Sequence, residues 1–361
     1  MKRILILANF DVGLYKFRKE LIQKMLEKNY EVYISLPDGE LVRKLEEMGC
    51  KFINTLVDRR GINPKTDAKL MFFYRKLIKK LHPDLVVTYT IKPNIYGGLM
   101  CRMLRVPYAV NITGLGTAFQ SENVVKKLVT FLYKIALKKA KVVFFENIGN
   151  KQTFLDLHIL KKSQVCVLNG AGVNLAEYPF CEYPFGEETR FLFIGRVMKE
   201  KGVDELFETA ERIKRQHSDV FFDVVGPMED DYKGRIDELV QKRIIVYHGY
   251  QKDVKPYIEN CHCFVLPSYH EGMANTLLEA GAMGRPLITS KIHGCMETVK
   301  EGRNGYLAEA KNTESLLEQM EKFLGLSHEE KRGMGQASRK LVQEKFDKKK
   351  VVGKTIWEIE R

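Results

Sequence analysis

Two carboxylates eight residues apart, Glu271 and Glu279, bracket the stretch Glu-Gly-Met-Ala-Asn-Thr-Leu-Leu-Glu. It follows the apolar run Cys263–Pro267, which ends in a Pro-Ser turn. A strand that stops there and feeds a helix opening at Asn275 and Thr276 presents unpaired N–H groups at a helix N-terminus, a ready anion site. Carboxylates on either side accept hydrogen bonds from hydroxyls. An anion between hydroxyl-rich groups describes a nucleotide sugar. A second group stands at an equivalent strand end. After Phe191–Ile194 come Gly195 and Arg196, then Lys201 and Gly202. Glycine admits a ligand close to the backbone, and two cations suit a diphosphate. Each residue also has a plainer reading. Glu271 can close a turn, Glu279 can be a salt-bridged acid on an apolar helix, and Arg196 and Lys201 can be a solvated helix start. Their shared position at strand ends favours the ligand reading.

The elements that must position these groups alternate along the chain. In the first half Arg3–Ala8, Glu31–Leu36, Lys51–Thr55, Leu85–Thr90, Tyr108–Ile112 and Val142–Glu146 read as strands, with helical stretches such as Phe17–Lys28, Gly39–Met48 and Lys65–Leu81 between them. The second half repeats the rhythm with Phe191–Ile194, Phe221–Val225, Ile244–Tyr247, Cys263–Leu266 and Pro286–Thr289. Continuous apolar strands alternating with helices mean parallel sheets covered on both faces. The chain therefore reads as α/β, with two doubly wound domains. The aperiodic stretch Ala176–Glu188, with two prolines, marks the boundary. The expected division is 1–175, 176–340 and a C-terminal helix, 341–361, that crosses back to the first domain. That helix carries an apolar stripe of Phe346, Val351, Val352, Ile356 and Trp357.

Bulk composition narrows the function classes. The 361 residues, 45% hydrophobic and 29% charged, support two folded domains. No apolar run reaches the roughly 20 residues that span a bilayer, and Met1–Ala8 reads as a buried strand, not a signal peptide. Seven cysteines without zinc spacing imply buried thiols in a reducing, cytosolic setting. This includes Cys261 and Cys263 around His262. There is no Asp-x-Asp pair, and Glu229-Asp230-Asp231 reads as a turn, so no metal is expected. Residues 1–180 hold 30 Lys and Arg against 15 Asp and Glu, whereas residues 181–361 hold 29 against 31. The first half is expected to meet an anionic surface. It lacks a recognisable nucleic-acid module.

Three segments of the second half resemble the donor domain of the family 4 glycosyltransferases: Phe193–Gly202 (FIGRVMKEKG), Phe264–Ser290 and His293–Leu307. Leu7–Val32, Lys92–Gly97 (KPNIYG) and Thr113–Phe119 (TGLGTAF) are similar to the capsule, O-antigen and glycan-assembly members. The resemblance implies a GT-B fold, two Rossmann-like domains facing a central cleft. It implies a retaining, metal-independent enzyme that moves a hexose or N-acetylhexosamine from a UDP-sugar, without cofactor. The acceptor is expected to be a saccharide on a polyprenyl diphosphate at the cytoplasmic leaflet, with the enzyme peripheral at the inner face of the membrane.

Residue by residue, the resemblance gives Arg196 and Lys201 the donor diphosphate and Glu279 the ribose hydroxyls. Glu271 and the backbone of Gly272, Met273 and Ala274 would hold the transferred sugar, and Asn275 and Thr276 the phosphates. Gly195 lies in the same strand-end loop. Gly13, in the first loop, would approach donor phosphates or acceptor, and Glu297 would be structural or a direct ligand. Many members carry a His after the fifth strand. This chain has Val110–Gly116 there with no His, so Asn111 or Thr113 would supply that hydrogen bond. Same-face attack, with the leaving diphosphate taking the acceptor proton, requires no side-chain base. Lys92 and Asn94 are further acceptor candidates. Competing readings are a non-catalytic nucleotide-sugar-binding partner of another transferase and a nucleotide-sugar epimerase.

Asn123–Lys141 gathers Val124, Val125, Leu128, Val129, Phe131, Leu132, Ile135 and Ala136 on one helical arc and Lys126, Lys127, Lys134, Lys138 and Lys141 on the other. It can pack its apolar arc on the sheet with a basic solvent face, or rest a partly exposed amphipathic surface on anionic lipid. Arg59, Arg60, Lys65, Lys69, Arg75, Lys76, Lys79 and Lys80 extend the basic theme.

Overall fold

Among the described residues, every strand pairs in parallel within one of two sheets. The structure, a computed structural model, describes residues 1–361 apart from 59, 60, 62, 117, 118, 120–123, 187 and 230. Arg59, Arg60, Asn123, Asp230 and part of the TGLGTAF motif thus lie outside the described residues. The chain divides into unit 1, Met1–Ala171 with Lys349–Arg361, and unit 2, Gly172–Lys348.

Unit 1 contains β1 (Arg3–Leu7), β2 (Glu31–Leu36), β3 (Lys51–Asn54), β4 (Leu85–Tyr89), β5 (Tyr108–Ile112), β6 (Val142–Phe145) and β7 (Val165–Val167), in the order β3-β2-β1-β4-β5-β6-β7. Its helices are α1 (Asp11–Glu27), α2 (Val42–Glu47), α3 (Pro64–Leu81), α4 (Gly98–Leu104), α5 (Val124–Ala136) and α6 (Ile148–Asp156), with a π-helix at Pro93–Gly97. Alternate residues of the buried strands supply two cores. One holds Leu14, Ile22 and Met25 of α1 against Ile4 and Ile6, and the other holds Leu70, Tyr74 and Ile78 of α3 against Leu5 and Leu7.

Unit 2 contains β8 (Thr189–Ile194), β9 (Val220–Val225), β10 (Val246–Gly249), β11 (Cys263–Leu266), β12 (Leu287–Ser290) and β13 (Gly305–Ala308), in the order β10-β9-β8-β11-β12-β13. Its helices are α7 (Val203–Gln216), α8 (Lys233–Gln241), α9 (Lys255–Asn260), α10 (Asn275–Ala282), α11 (Thr313–Leu324) and α12 (His328–Lys345), and α13 (Lys348–Glu360) follows. Both sheets are doubly wound. Their strand order reverses between β1 and β4 and between β8 and β11, the places where such sheets bind ligands.

The division differs from the sequence expectation at both ends. Ala176–Glu188 looks like a linker, yet it is fastened to unit 2. Arg285 is wholly buried and donates to five carbonyls, those of Ile258 (2.8 Å), Cys181 (3.2 Å), Gly284 (3.2 Å), Glu182 (3.0 Å) and Glu259 (2.8 Å). Arg339 adds bonds to Tyr178 O (3.0 Å) and Ala282 O (2.7 Å). The break therefore falls earlier, after Ala171. The C-terminal segment is two helices, and α12 stays with unit 2. The chain turns at Phe346, where Val173 N donates to Phe346 O (2.8 Å) and Lys348 N to Val173 O (3.0 Å). Beyond it Val351, Ile356 and Ile359 join the α1 side of unit 1's core. β7 and β13 were not anticipated, because VCV and GYLA are too short to show a period.

Helix α5 buries only part of the arc that the wheel suggests, with Ala136 enclosed and Val129 and Leu132 packed against the core. Tyr133 and Ala136, then Leu137 and Ala140, face inward. Tyr133 packs edge-on against Phe154 with ring centroids 5.1 Å apart. This buried tyrosine fixes the helix rotation and turns Val124, Leu128 and Phe131 outward. The reading with a purely basic solvent face is thus corrected.

Arg285→Met should cost unit 2 about 3 kcal/mol or more, because the replacement leaves buried carbonyls unpaired. A urea unfolding midpoint indistinguishable from the parent would contradict the clamp.

Candidate functional site

The site assembles at the carboxyl ends of β8 and β11, the reversal point of unit 2. After β8 the chain makes a short 3-10 turn, Lys199–Lys201, and ends it at Gly202 with φ +70. A Cβ on Gly202 would lie 2.0 Å from Pro267 O, so the glycine is what lets this turn sit against the end of β11. The contact is reinforced by Tyr269, whose N–H donates to Glu200 O (2.9 Å) and whose hydroxyl reaches both Glu205 oxygens (2.8 and 2.9 Å).

Lys201 and Glu271 meet as a result. Nζ lies 2.5 Å from Oε1, both side chains are largely buried, and Ser268 Oγ donates to the same oxygen at 2.9 Å. Removing either charge would strand the other in a partly desolvated place.

The loop from Glu271 into α10 is shaped from behind. Gly294, at φ +92, lies so near that a Cβ would come 2.7 Å from Gly272 O, and its own carbonyl accepts from Ala274 N at 2.9 Å. Glu297 fixes that turn by accepting from Gly294 N (2.7 Å) and bonding His293 Nδ1 (2.9 Å). Glu297 thus serves as a brace for the loop. The Ala274 amide is spent on the brace, and the Met273 and Ala274 side chains are core residues. The expectation that the Ala274 backbone grips a ligand is corrected accordingly.

At α10 the N-cap is Ala274, and no side chain caps the helix. Asn275 and Thr276 are half-buried in its first turn, and the Asn275 Oδ1 atom is buried without a hydrogen-bond partner. One turn on, Glu279 accepts from the Tyr178 hydroxyl. Burial first, and then the Glu279 charge and hydrogen bond, hold that phenol well above its usual value. Tyr178 was not found from the sequence, because it lies in the stretch taken for a linker. Ser268 was also missed, although a serine three residues before Glu271 in a strand-end turn was a usable signal.

Other candidates fall elsewhere. Arg196 follows Gly195 at the end of β8 but pairs with Glu229 (2.6 Å). A Cβ on Gly226 would lie 1.8 Å from Gly195 O, so the β8 and β9 turns are in close contact. Gly13 is not in a loop. It is the third residue of α1, packed so that a Cβ would lie 2.6 Å from the Phe10 ring.

In unit 1, Asn94 and Asn111 are buried structural groups, not exposed contacts. Thr88 Oγ1 and Asn94 Oδ1 are 2.7 Å apart, Asn94 Nδ2 donates to Asn111 O (2.9 Å), and Asn111 Nδ2 donates to Thr88 O (3.2 Å). They tie β4, β5 and the π-helix together. Lys92 is paired with Asp67 (2.7 Å), which also accepts from Tyr96 (2.8 Å). Thr113 is half-buried just past β5. Thr90, beside Lys92, adopts φ +71, which is costly for a β-branched residue, and its hydroxyl is buried without a partner.

Two cavities of unit 2 lie away from this site. One, of about 530 Å³, is lined by Arg190, Tyr257 and His262 near the amino ends of β8 and β11. The other, of about 260 Å³, lies by Lys300, Arg303 and Lys340. Neither includes Lys201, Glu271 or Glu279. Cys261 and Cys263 are buried free thiols, and burial pushes Cys261 up to about 12.

Comparison with known proteins identifies the family and the fold. Residues 179–341 match the family model "Glycosyl transferases group 1", and residues 3–147 match "Glycosyl transferase 4-like". The chain belongs to the family 4 glycosyltransferases. Over 340 residues, 89% of each chain, it is 29% identical to the N,N'-diacetylbacillosaminyl-diphospho-undecaprenol alpha-1,3-N-acetylgalactosaminyltransferase of Campylobacter jejuni. It is 24% identical to the capsular polysaccharide biosynthesis glycosyltransferase CapM of Staphylococcus aureus, over 98% of this chain and 94% of that one. A glycosyltransferase from Rickettsia africae superposes with a TM-score of 0.83 at 20% identity, covering 99% of this chain and 98% of that one. Anabaena HepE, solved with UDP and glucose, gives 0.79 at 15% identity with full coverage of both. The fold of this glycosyltransferase is GT-B.

Gly202→Ala should destabilise the glycosyltransferase by about 2 kcal/mol or more, through both positive φ and the collision with Pro267. Gly249→Ala, also at positive φ but with open space around it, should cost only about 1 kcal/mol. Equal urea midpoints for the two variants would contradict the close approach.

Proposed function

We propose that this glycosyltransferase transfers a hexose or N-acetylhexosamine from a UDP-sugar to a saccharide carried on a polyprenyl diphosphate. It would work at the cytoplasmic face of the membrane, in surface polysaccharide or glycan assembly, with retention and without a metal. The observation that carries the proposal is the Lys201 and Glu271 pair beside the uncapped N-terminus of α10 at the sheet reversal point. Two relatives support the acceptor class. The Campylobacter enzyme is named for an undecaprenol-diphosphate-linked sugar. A 28% identical Escherichia coli relative, matched over 74% of this chain and 72% of its own, is named for UDP-Gal and a diphosphoundecaprenol-linked sugar.

In this reading the diphosphate lies at the α10 N-terminus, where Asn275, Thr276 and Lys201 offer N–H groups and positive charge. Arg196 joins by exchanging Glu229 for phosphate oxygen. Glu279, oriented by Tyr178, accepts from the ribose hydroxyls. Glu271, with Gly272 and Met273 beside it, holds the sugar. The bond from the anomeric carbon to the diphosphate oxygen breaks, and the acceptor oxygen bonds that carbon from the same face. The acceptor proton passes to the departing phosphate oxygen. Cationic side chains stabilise the charge as it builds on the leaving group, which removes the need for a cation cofactor.

Glu279→Ala should raise the donor KM about tenfold or more with a smaller change in kcat, because ribose binding is remote from the bond that breaks. An unchanged KM in a UDP-release assay would remove its ribose role. Transfer to a polyprenyl-diphosphate-linked saccharide should persist in EDTA and give an α-linked product. Complete loss in EDTA, restored by a divalent ion, would contradict the metal-free reading.

A further inference from the structure

Helices α3, α4 and α5 share one face of unit 1's sheet, with Leu70, Tyr74, Met100 and Tyr133 in a common core. α3 touches α4, and α4 touches α5. Their outer sides are apolar where a solvated helix is polar. Phe72 is 63% exposed, Met103 65%, Val124 80%, Leu128 50% and Phe131 59%. Lysines bracket the aromatics in the same way on both long helices. Lys69 and Lys76 stand a turn either side of Phe72, and Lys127 and Lys134 a turn either side of Phe131, all of them exposed. The three helices hold one acid among their residues, Asp67, and it is paired with Lys92.

We propose that this face of α3, α4 and α5 is a membrane-docking surface, with Phe72, Met103, Leu128 and Phe131 entering the acyl boundary of an anionic leaflet and the bracketing lysines meeting its headgroups. Apolar residues framed by lysine are what an interfacial helix needs. A second copy of the chain is a poor occupant, since a self-complementary contact would set lysine against lysine. α3 and α5 both begin at the carboxyl edge of the sheet, after β3 and β5. Docking therefore brings that ligand-binding edge to the headgroup layer, where the diphosphate of a lipid-linked acceptor lies. This deepens the lipid-linked acceptor reading and rests on it.

The test is co-sedimentation of the full chain with phosphatidylcholine vesicles, with and without phosphatidylglycerol. Alongside it, transfer to a short-chain, water-soluble diphosphate-linked acceptor is measured. Binding should require phosphatidylglycerol and weaken with salt. Leu128→Ser with Phe131→Ser should lower vesicle binding about tenfold or more, with melting temperature and transfer to the soluble acceptor unchanged. Replacing Lys69, Lys76, Lys127 and Lys134 by Gln should remove the phosphatidylglycerol dependence. Parent-level binding by either variant overturns the surface. So does failure of the parent to bind, or a parent dimer on gel filtration that the serine variant dissociates. Activity on the soluble acceptor without vesicle binding defeats the docking proposal alone, whereas vesicle binding without transfer to any diphosphate-linked acceptor defeats the functional reading.

Discussion

The salt bridge between Lys201 and Glu271 joins residues 70 positions apart, and it exists only because β8 and β11 are neighbours in space. Everything around it maintains that meeting. Gly202 clears room for Pro267, Tyr269 locks the two turns together, and the Gly294 turn, itself held by Glu297, presses the Glu271 loop into place. A charge pair with both members largely out of water is costly to leave half-made. The surroundings are therefore rigid where the charges sit, and open where the first turn of α10 lacks a cap. That combination of fixed charge and an uncapped helix start is what the proposed diphosphate site rests on.

Unit 1 is built on the same topology but spends its polar groups differently. Its Asn94 and Asn111 close a buried network between β4, β5 and the π-helix, and Arg18 is buried in an ion pair with Glu146 under the Tyr89 ring. These groups stiffen the carboxyl edge of the sheet. The strained Thr90 stands on that edge, beside the Lys92 and Asp67 pair. Its basic excess lies on the outer helices, where it frames exposed apolar side chains. In the proposed reading, donor chemistry and membrane attraction fall to different units of one chain.

The sequence made the two sheets legible because buried parallel strands are nearly continuous apolar runs, and β2, β5 and β11 begin and end where those runs do. Chemistry at strand ends pointed to Lys201 and Glu271, which the fold brings together, and to Glu279, which lies one turn into α10. Side-chain satisfaction was beyond the sequence. Nothing in Lys92–Gly97 shows that Asn94 is fully enclosed, or that Gly13 falls inside a helix and not a loop. The rotation of α5 was hidden because Tyr133, which the helical wheel left off the apolar arc, turned out to be the anchor. Tyr178 and Arg285 act over long sequence separations, and a boundary drawn from two prolines passes over both.

The most direct test of the central claim is hydrogen exchange of the full-length enzyme with and without UDP. Peptides covering Gly195–Gly202 and Gly272–Thr276 should exchange more slowly with UDP bound, with no change around Arg190 and His262. Protection confined to the cavity lined by Arg190 and His262, with the α10 N-terminus unaffected, would contradict it.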